Sequence, residues 1–150
     1  MSRLKFRLQL VAVSDAGQEQ MHEVGRFERE GVAMETLGLT LAEGKVILKN
    51  IQERVVQEQI SDCLAQQRCC PDCGRVRSRN GHHDATMRTV FGKVEWKSPR
   101  MNHCPCQPHE EKTFSPLQRV LPEHVSPELR YLEVKWSARS EEHTSELQSQ

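Results

Sequence analysis

Cys70-Pro71-Asp72-Cys73-Gly74 and Cys104-Pro105-Cys106 frame the stretch that decides how this chain folds. A Cys-Pro-x-Cys-Gly turn aims two sulfurs at one point, and the glycine permits the backbone twist just past the second sulfur. Zinc favours four soft ligands in a tetrahedron, and two close cysteine pairs on separate turns supply them. Cys70, Cys73, Cys104 and Cys106 are therefore the expected ligands of a structural Zn2+. The second pair is tighter than the usual C-x₂-C, and 30 residues separate the two halves, more than in the commonest ribbons. Unpaired reduced thiols and an adventitious disulfide are the alternatives. A thioredoxin-like redox role is weaker, because no βαβ pattern surrounds the C-x-x-C.

Neighbours leave the ligand set some slack. Cys69 adjoins Cys70 and His103 adjoins Cys104, so either could substitute, and His82, His83 and His109 lie within the same window. Cys63 falls in a helical pattern and reads as a small buried apolar residue. Four cysteines would close the coordination shell and leave no open position for catalysis.

Outward from this frame, charge is uneven although the chain as a whole is neutral, with 21 basic and 21 acidic side chains. Residues 1–67 carry 8 basic and 10 acidic groups, residues 68–100 carry 8 and 3, and residues 101–150 carry 5 and 8. The basic block coincides with the cysteine-framed segment, as a nucleic-acid-facing module requires. A solvated basic hairpin without a partner would have the same composition. Arg75, Arg77, Arg79, Arg88, Lys93, Lys97 and Arg100 are the candidates for phosphate contact. Within the frame, Thr86–Val90 and Lys93–Lys97 read as strands joined at Phe91-Gly92, after a basic loop from Arg75 to Gly81. Pro99 is expected to end the second strand.

Upstream, Lys5 to Val13 begins in strict alternation, with Phe6, Leu8 and Leu10 on one face, and a weaker strand follows from Val24 to Phe27. Such a hairpin cannot hide its apolar face alone. Its expected cover is a helix from Leu41 to Gln67, opened by a capping box at Thr40 and Glu43. Leu41, Leu48 and Val55 recur every seven residues, and Ile47, Ile51, Ile60 and Leu64 broaden the stripe. That stripe suits the hairpin better than a dimer seam, since a two-per-heptad pattern is not maintained. Downstream, Ser115-Pro116 and Ser126-Pro127 each read as an N-cap followed by N1 of a short helix.

The fold expected is α+β: an N-terminal β-hairpin plus long helix (1–67), a basic zinc-ribbon β-hairpin (68–112), and short C-terminal helices (113–138). At 36% apolar content the core is modest. No 18-residue apolar run or charged-then-apolar leader is present, so neither a membrane span nor a signal peptide is expected. Six cysteines without an export signal point to a reducing compartment. The last residues, from Arg139-Ser140-Glu141-Glu142-His143 onward, resemble the conceptual translation of a sequencing adapter. Residues 139–150 are thus set apart as a reading-frame scar, a natural polar tail being the alternative, with the natural protein continuing past Ala138.

From Leu4 to Ala138 the chain resembles the N-terminal region of ISKra-type insertion-sequence transposases of bacteria. The resemblance is carried by Glu35-Thr36-Leu37-Gly38-Leu39-Thr40-Leu41-Ala42-Glu43, by Cys70-Pro71-Asp72-Cys73-Gly74 with Gly81-His82-His83, and by Arg88-Thr89-Val90-Phe91-Gly92-Lys93-Val94. It continues through Ser98-Pro99-Arg100, His103-Cys104-Pro105-Cys106, Phe114-Ser115-Pro116-Leu117 and Pro127-Glu128-Leu129-Arg130-Tyr131-Leu132-Glu133. It implies a cytoplasmic DNA-binding front end, acting on transposon ends and open to homo-oligomer formation, for a DDE-type transposase. The catalytic carboxylates of such enzymes sit on an RNase H-like domain, expected downstream of Ala138. None is assigned here, and the chain is expected to be catalytically silent. The alternative is a zinc-stabilised assembly module that dimerises through the long helix without touching DNA.

Overall fold

Glu19–Glu30 (β2) pairs antiparallel with Arg3–Val13 (β1) to form the first of the two sheets among the described residues of this α+β chain. The computed structural model describes residues 3–106 and 111–147, so His109 lies outside the described residues. The chain divides into two compact units, Met1–Cys69 and Cys70–Gln150, and the segment 113–138 falls within the second.

In the first unit the register shifts between Leu8 and Gln9, where Val24 is the extra residue of a β-bulge. Asn50 Nδ2 donates to the Val24 carbonyl at 3.0 Å, so the carbonyl exposed by the bulge is satisfied by the helix above it. That helix, α1, runs Leu41–Gln66 with Gln67 as its C-cap, and the Thr40–Glu43 capping box is present as expected. It lies against β2. Ile47 sits over Gly25, whose missing side chain lets the two elements approach: a Cβ there would stand 2.8 Å from Ile47 Cγ1. Phe6 and Phe27 stack on the same side of the sheet at 4.9 Å between centroids. The opposite side is a ladder of ion pairs, with Arg3 to Glu28 and Glu30, Lys5 to Glu28, and Arg7 and Arg26 both to Glu23.

The helix stripe divides. Ile47, Val56 and Ile60 are buried, whereas Leu41, Leu48 and Val55 remain 76%, 44% and 37% exposed. Those three form the solvent-exposed part of the stripe. Cys63 is only half-buried and accepts from Gln67 Nε2 at 3.2 Å.

In the second unit Arg79–Thr89 (β3) and Gly92–Asn102 (β4) pair antiparallel, and Thr113–Phe114 (β5) adds to the other edge of β4. The strands are longer than their alternation suggested, and Arg79 to Gly81 belong to β3 rather than to the loop. Pro99 does not end β4. It sits opposite His82, beside the register shift between Arg79 and His82, where a residue without an N–H is tolerated. Gly81, at φ +79°, supplies the left-handed residue at that irregularity. Val94 and Ser98 of β4 are fully buried and point to the side away from Lys93, Glu95 and Lys97.

Ser115-Pro116 does not open a helix. Gln118, Val120 and Leu121 donate to the carbonyls of Ser115, Leu117 and Leu117, giving successive turns, while Pro116 and Leu117 bury themselves against the sheet unit. Ser126 does cap α2 (Pro127–Leu147), its Oγ accepting from the Leu129 N–H at 3.3 Å. The helix backbone runs on past Ala138 instead of stopping there, because residues 139–147 contain neither proline nor glycine to break it. Leu129 and Leu132 are half-buried and Trp136 is 70% exposed. No helix among the described residues is long and apolar enough to cross a membrane.

Candidate metal centre

Two turns build the centre. In the first, Cys70 N–H donates to the Arg75 carbonyl and Gly74 N–H returns to the Cys70 carbonyl, each at 2.9 Å, closing a knuckle around Cys70 and Cys73. Gly74 adopts φ +68°, the left-handed conformation that a Cβ would strain. The second turn follows β4 directly. His103 N–H bonds the Lys112 carbonyl at 3.1 Å, and Asn102 N–H bonds the Ser78 carbonyl at 2.9 Å, fixing the approach to Cys104.

All four sulfurs, those of Cys70, Cys73, Cys104 and Cys106, lie within 4.8 Å of one another. Cys70 to Cys106 is 3.5 Å, Cys73 to Cys104 is 3.4 Å and Cys73 to Cys106 is 3.4 Å. A zinc ion at about 2.3 Å from each thiolate sets sulfur–sulfur edges of about 3.8 Å, close to these three separations, so small shifts of the sulfurs would accommodate it. A disulfide needs a bond of about 2.05 Å, and the four thiols are free. The cluster is positioned to hold a metal ion.

The centre is asymmetric. Cys70 and Cys104, the first cysteine of each turn, are 2% and 4% exposed, whereas Cys73 and Cys106 are open to solvent. The Cys73 backbone N–H, with help from the Asp72 N–H, pulls the Cys70 thiol down to about 6. Likewise the Cys106 backbone N–H lowers the Cys104 thiol. Cys106 is pushed up, chiefly by its sulfur neighbours Cys104, Cys73 and Cys70, which compete for negative charge. Amides aimed at the buried sulfurs favour thiolate, the form that binds metal.

Cys69 is exposed and stays out of the cluster, and His103 lies against the Phe114 ring at 4.7 Å instead of joining the sulfurs. His82 and His83 stand opposite Pro99 and Ser98 along the hairpin, also outside the cluster.

The seven cationic candidates do not share one face. Cross-strand register puts Arg88, Lys93 and Lys97 on the outer side of the hairpin, with Asp84, Thr86 and Glu95 among them. Arg88 pairs with Glu133 of α2 at 2.7 Å and Lys93 with Glu95 at 2.6 Å. Arg75 and Arg79 are exposed near the metal turns. Arg77 is different: half-buried, it lies over the Phe114 ring at 5.1 Å, a packing position. Arg100 lines a groove on the other side of β4, together with Trp96 and Arg119. Neither Trp96 nor Arg119 was a candidate from the sequence; the segment holding Arg119 read as a helix, which hid its place beside β4. The acidic side chains of α1 are engaged within their own unit, Glu58 with His22 at 3.0 Å and Glu53 with Lys49 at 3.7 Å. No protein-family model matches the chain, and no curated protein or solved structure matches it either.

Proposed function

We propose that this chain is the DNA-binding front portion of a DDE-type transposase of a bacterial insertion sequence. In this reading Cys70, Cys73, Cys104 and Cys106 hold a structural zinc ion, and the chain itself carries no catalytic carboxylates. The observation that supports it best is the convergence of four sulfurs at the base of a hairpin whose surroundings expose Arg75, Arg79, Arg88, Lys93, Lys97 and Arg100. A metal clamp there would hold the cations in fixed relation at little conformational freedom, which backbone recognition of DNA requires.

The test is a salt titration on duplex DNA bearing the ends of the element that encodes the chain. Four phosphate contacts give a slope of log K against log salt near about −3.6, at about −0.9 for each. Absence of binding at low salt, with zinc bound, would overturn the reading.

A second reading, an assembly module, draws on the exposed stripe of Leu41, Leu48 and Val55. Those residues sit seven apart on α1, the spacing of a helix–helix seam. Sedimentation of the chain with and without Leu48→Glu separates the two. A dimer abolished by the substitution, together with no DNA binding, would decide for assembly.

A further inference from the structure

The outer side of the β3–β4 hairpin is charge-matched. Arg88 is held by Glu133, Lys93 by Glu95, and Lys97 stands directly opposite Asp84. A phosphate arriving there must displace carboxylates from at least two of the three cations. The other side of β4 offers a different surface. A groove of about 830 Å³ is walled by β3 and β4 on one side and by the 113–124 segment on the other. That volume lies within the range of about 300–1,000 Å³ typical of ligand sites.

Arg100 and Arg119 line this groove, both exposed, and neither has a carboxylate partner among the described residues. Of the acidic residues on its rim, Glu123 is already paired with Arg130 at 2.5 Å, which leaves Glu111. Trp96 of β4 lines the same groove. Its indole Nε1 is buried without a hydrogen-bond partner, so that edge is turned inward and the part of the half-buried side chain open to the groove is carbon. An aromatic carbon surface that shares a groove with guanidinium groups not held by any described carboxylate is the combination that receives a base and its neighbouring phosphates. A base can reach an indole in a groove only when it is out of the duplex stack.

We propose that the Trp96–Arg100–Arg119 groove binds unpaired nucleotides, with a base against the Trp96 indole and adjacent phosphates at Arg100 and Arg119. The inference rests on the DNA-binding reading above and adds to it a single-stranded segment as the ligand of this groove.

The experiment uses the full chain, its metal content verified, carrying Trp136→Phe so that Trp96 is the only indole. A thymidine dodecamer is titrated at low salt while tryptophan emission is followed, and duplex binding is measured in parallel by anisotropy. Quenching of Trp96 is expected. Arg100→Ala with Arg119→Ala should weaken dodecamer binding at least about tenfold at low salt and flatten its salt slope by about 1.4, at about 0.7 per phosphate on single strands. Trp96→Leu should weaken it by a similar factor. The double arginine variant keeps the test sound if the Trp96 variant fails to fold, because both arginines are exposed. Duplex binding without quenching by the dodecamer overturns the groove and leaves the DNA-binding reading intact. Quenching that the arginine variant does not weaken also overturns it. Binding of neither nucleic acid overturns both.

Discussion

Arg29 and Glu43, fourteen residues apart, meet through two parallel hydrogen bonds, Nη1 to Oε1 at 2.9 Å and Nη2 to Oε2 at 2.6 Å. Glu43 Oε2 also accepts the Thr40 N–H at 2.9 Å, so one carboxylate both closes the helix cap and ties α1 to β2. Arg29, with the Thr40 amide, holds the Glu43 carboxyl down to about 2 from its ordinary 4.5.

Acid should therefore loosen the first unit. The folded-state value lies below the unfolded one, so the stabilisation is complete above about pH 4.5 and is lost as pH falls from there toward about 2. Glu43→Gln should melt at lower temperature than the parent at pH 6, and the two should converge near pH 2. Circular dichroism melts across that range check it, and a constant gap between them would contradict it.

Gly25→Ala should destabilise the same unit by about 1–3 kcal/mol, because the added methyl must displace Ile47 Cγ1 from 2.8 Å. The effect should shrink in an Ile47→Ala background, where the obstructing carbon is gone. A double-mutant cycle in urea measures the coupling, and strict additivity would show that the contact does not set the helix height.

The chain should hold one zinc ion, removable by chelator, with loss of structure in the second unit. Cys73→Ser should disorder residues 70–106 and leave α1 helical, since metal and local fold form one equilibrium. Elemental analysis gives the metal and its amount, and amide exchange locates the loss. A metal-free preparation that protects residues 70–106 fully would defeat the prediction.

Arg75→Ala with Arg79→Ala should flatten the salt slope of duplex binding by up to about 1.8 and weaken all sequences alike. Arg77→Ala is a different experiment: it removes the cation over Phe114 and should lower the melting temperature of the second unit. A melting temperature unchanged by Arg77→Ala would move Arg77 back among the phosphate contacts.

Local signals were legible where one residue type fixes one geometry. The Thr40–Glu43 cap, the Ser126-Pro127 start and the four sulfurs follow from short-range chemistry, and the structure has each of them. Long-range pairing was harder to read. Pro99 looked like a terminator because its missing N–H ends most strands, yet the irregularity around Gly81 lets β4 continue past it. Ser115-Pro116 carries a valid helix start, but β5 and the burial of Leu117 hold that segment in turns. The seven cations could be counted from the sequence, while their distribution over different faces depends on a register that composition does not encode.

The ion-pair ladder on β1–β2 also bears on which copies of this chain can meet. A two-stranded sheet has two open edges, and along the outer side the β1 edge is basic at Arg3, Lys5 and Arg7, while the β2 edge is acidic at Glu19, Glu23, Glu28 and Glu30, apart from Arg26. A two-fold axis brings like edge to like edge, setting arginine against arginine or glutamate against glutamate. Only an offset, head-to-tail approach would match the signs, and that arrangement does not close on itself. The hairpin thus sets like charge against like along both margins whenever two copies approach edge to edge about a two-fold axis.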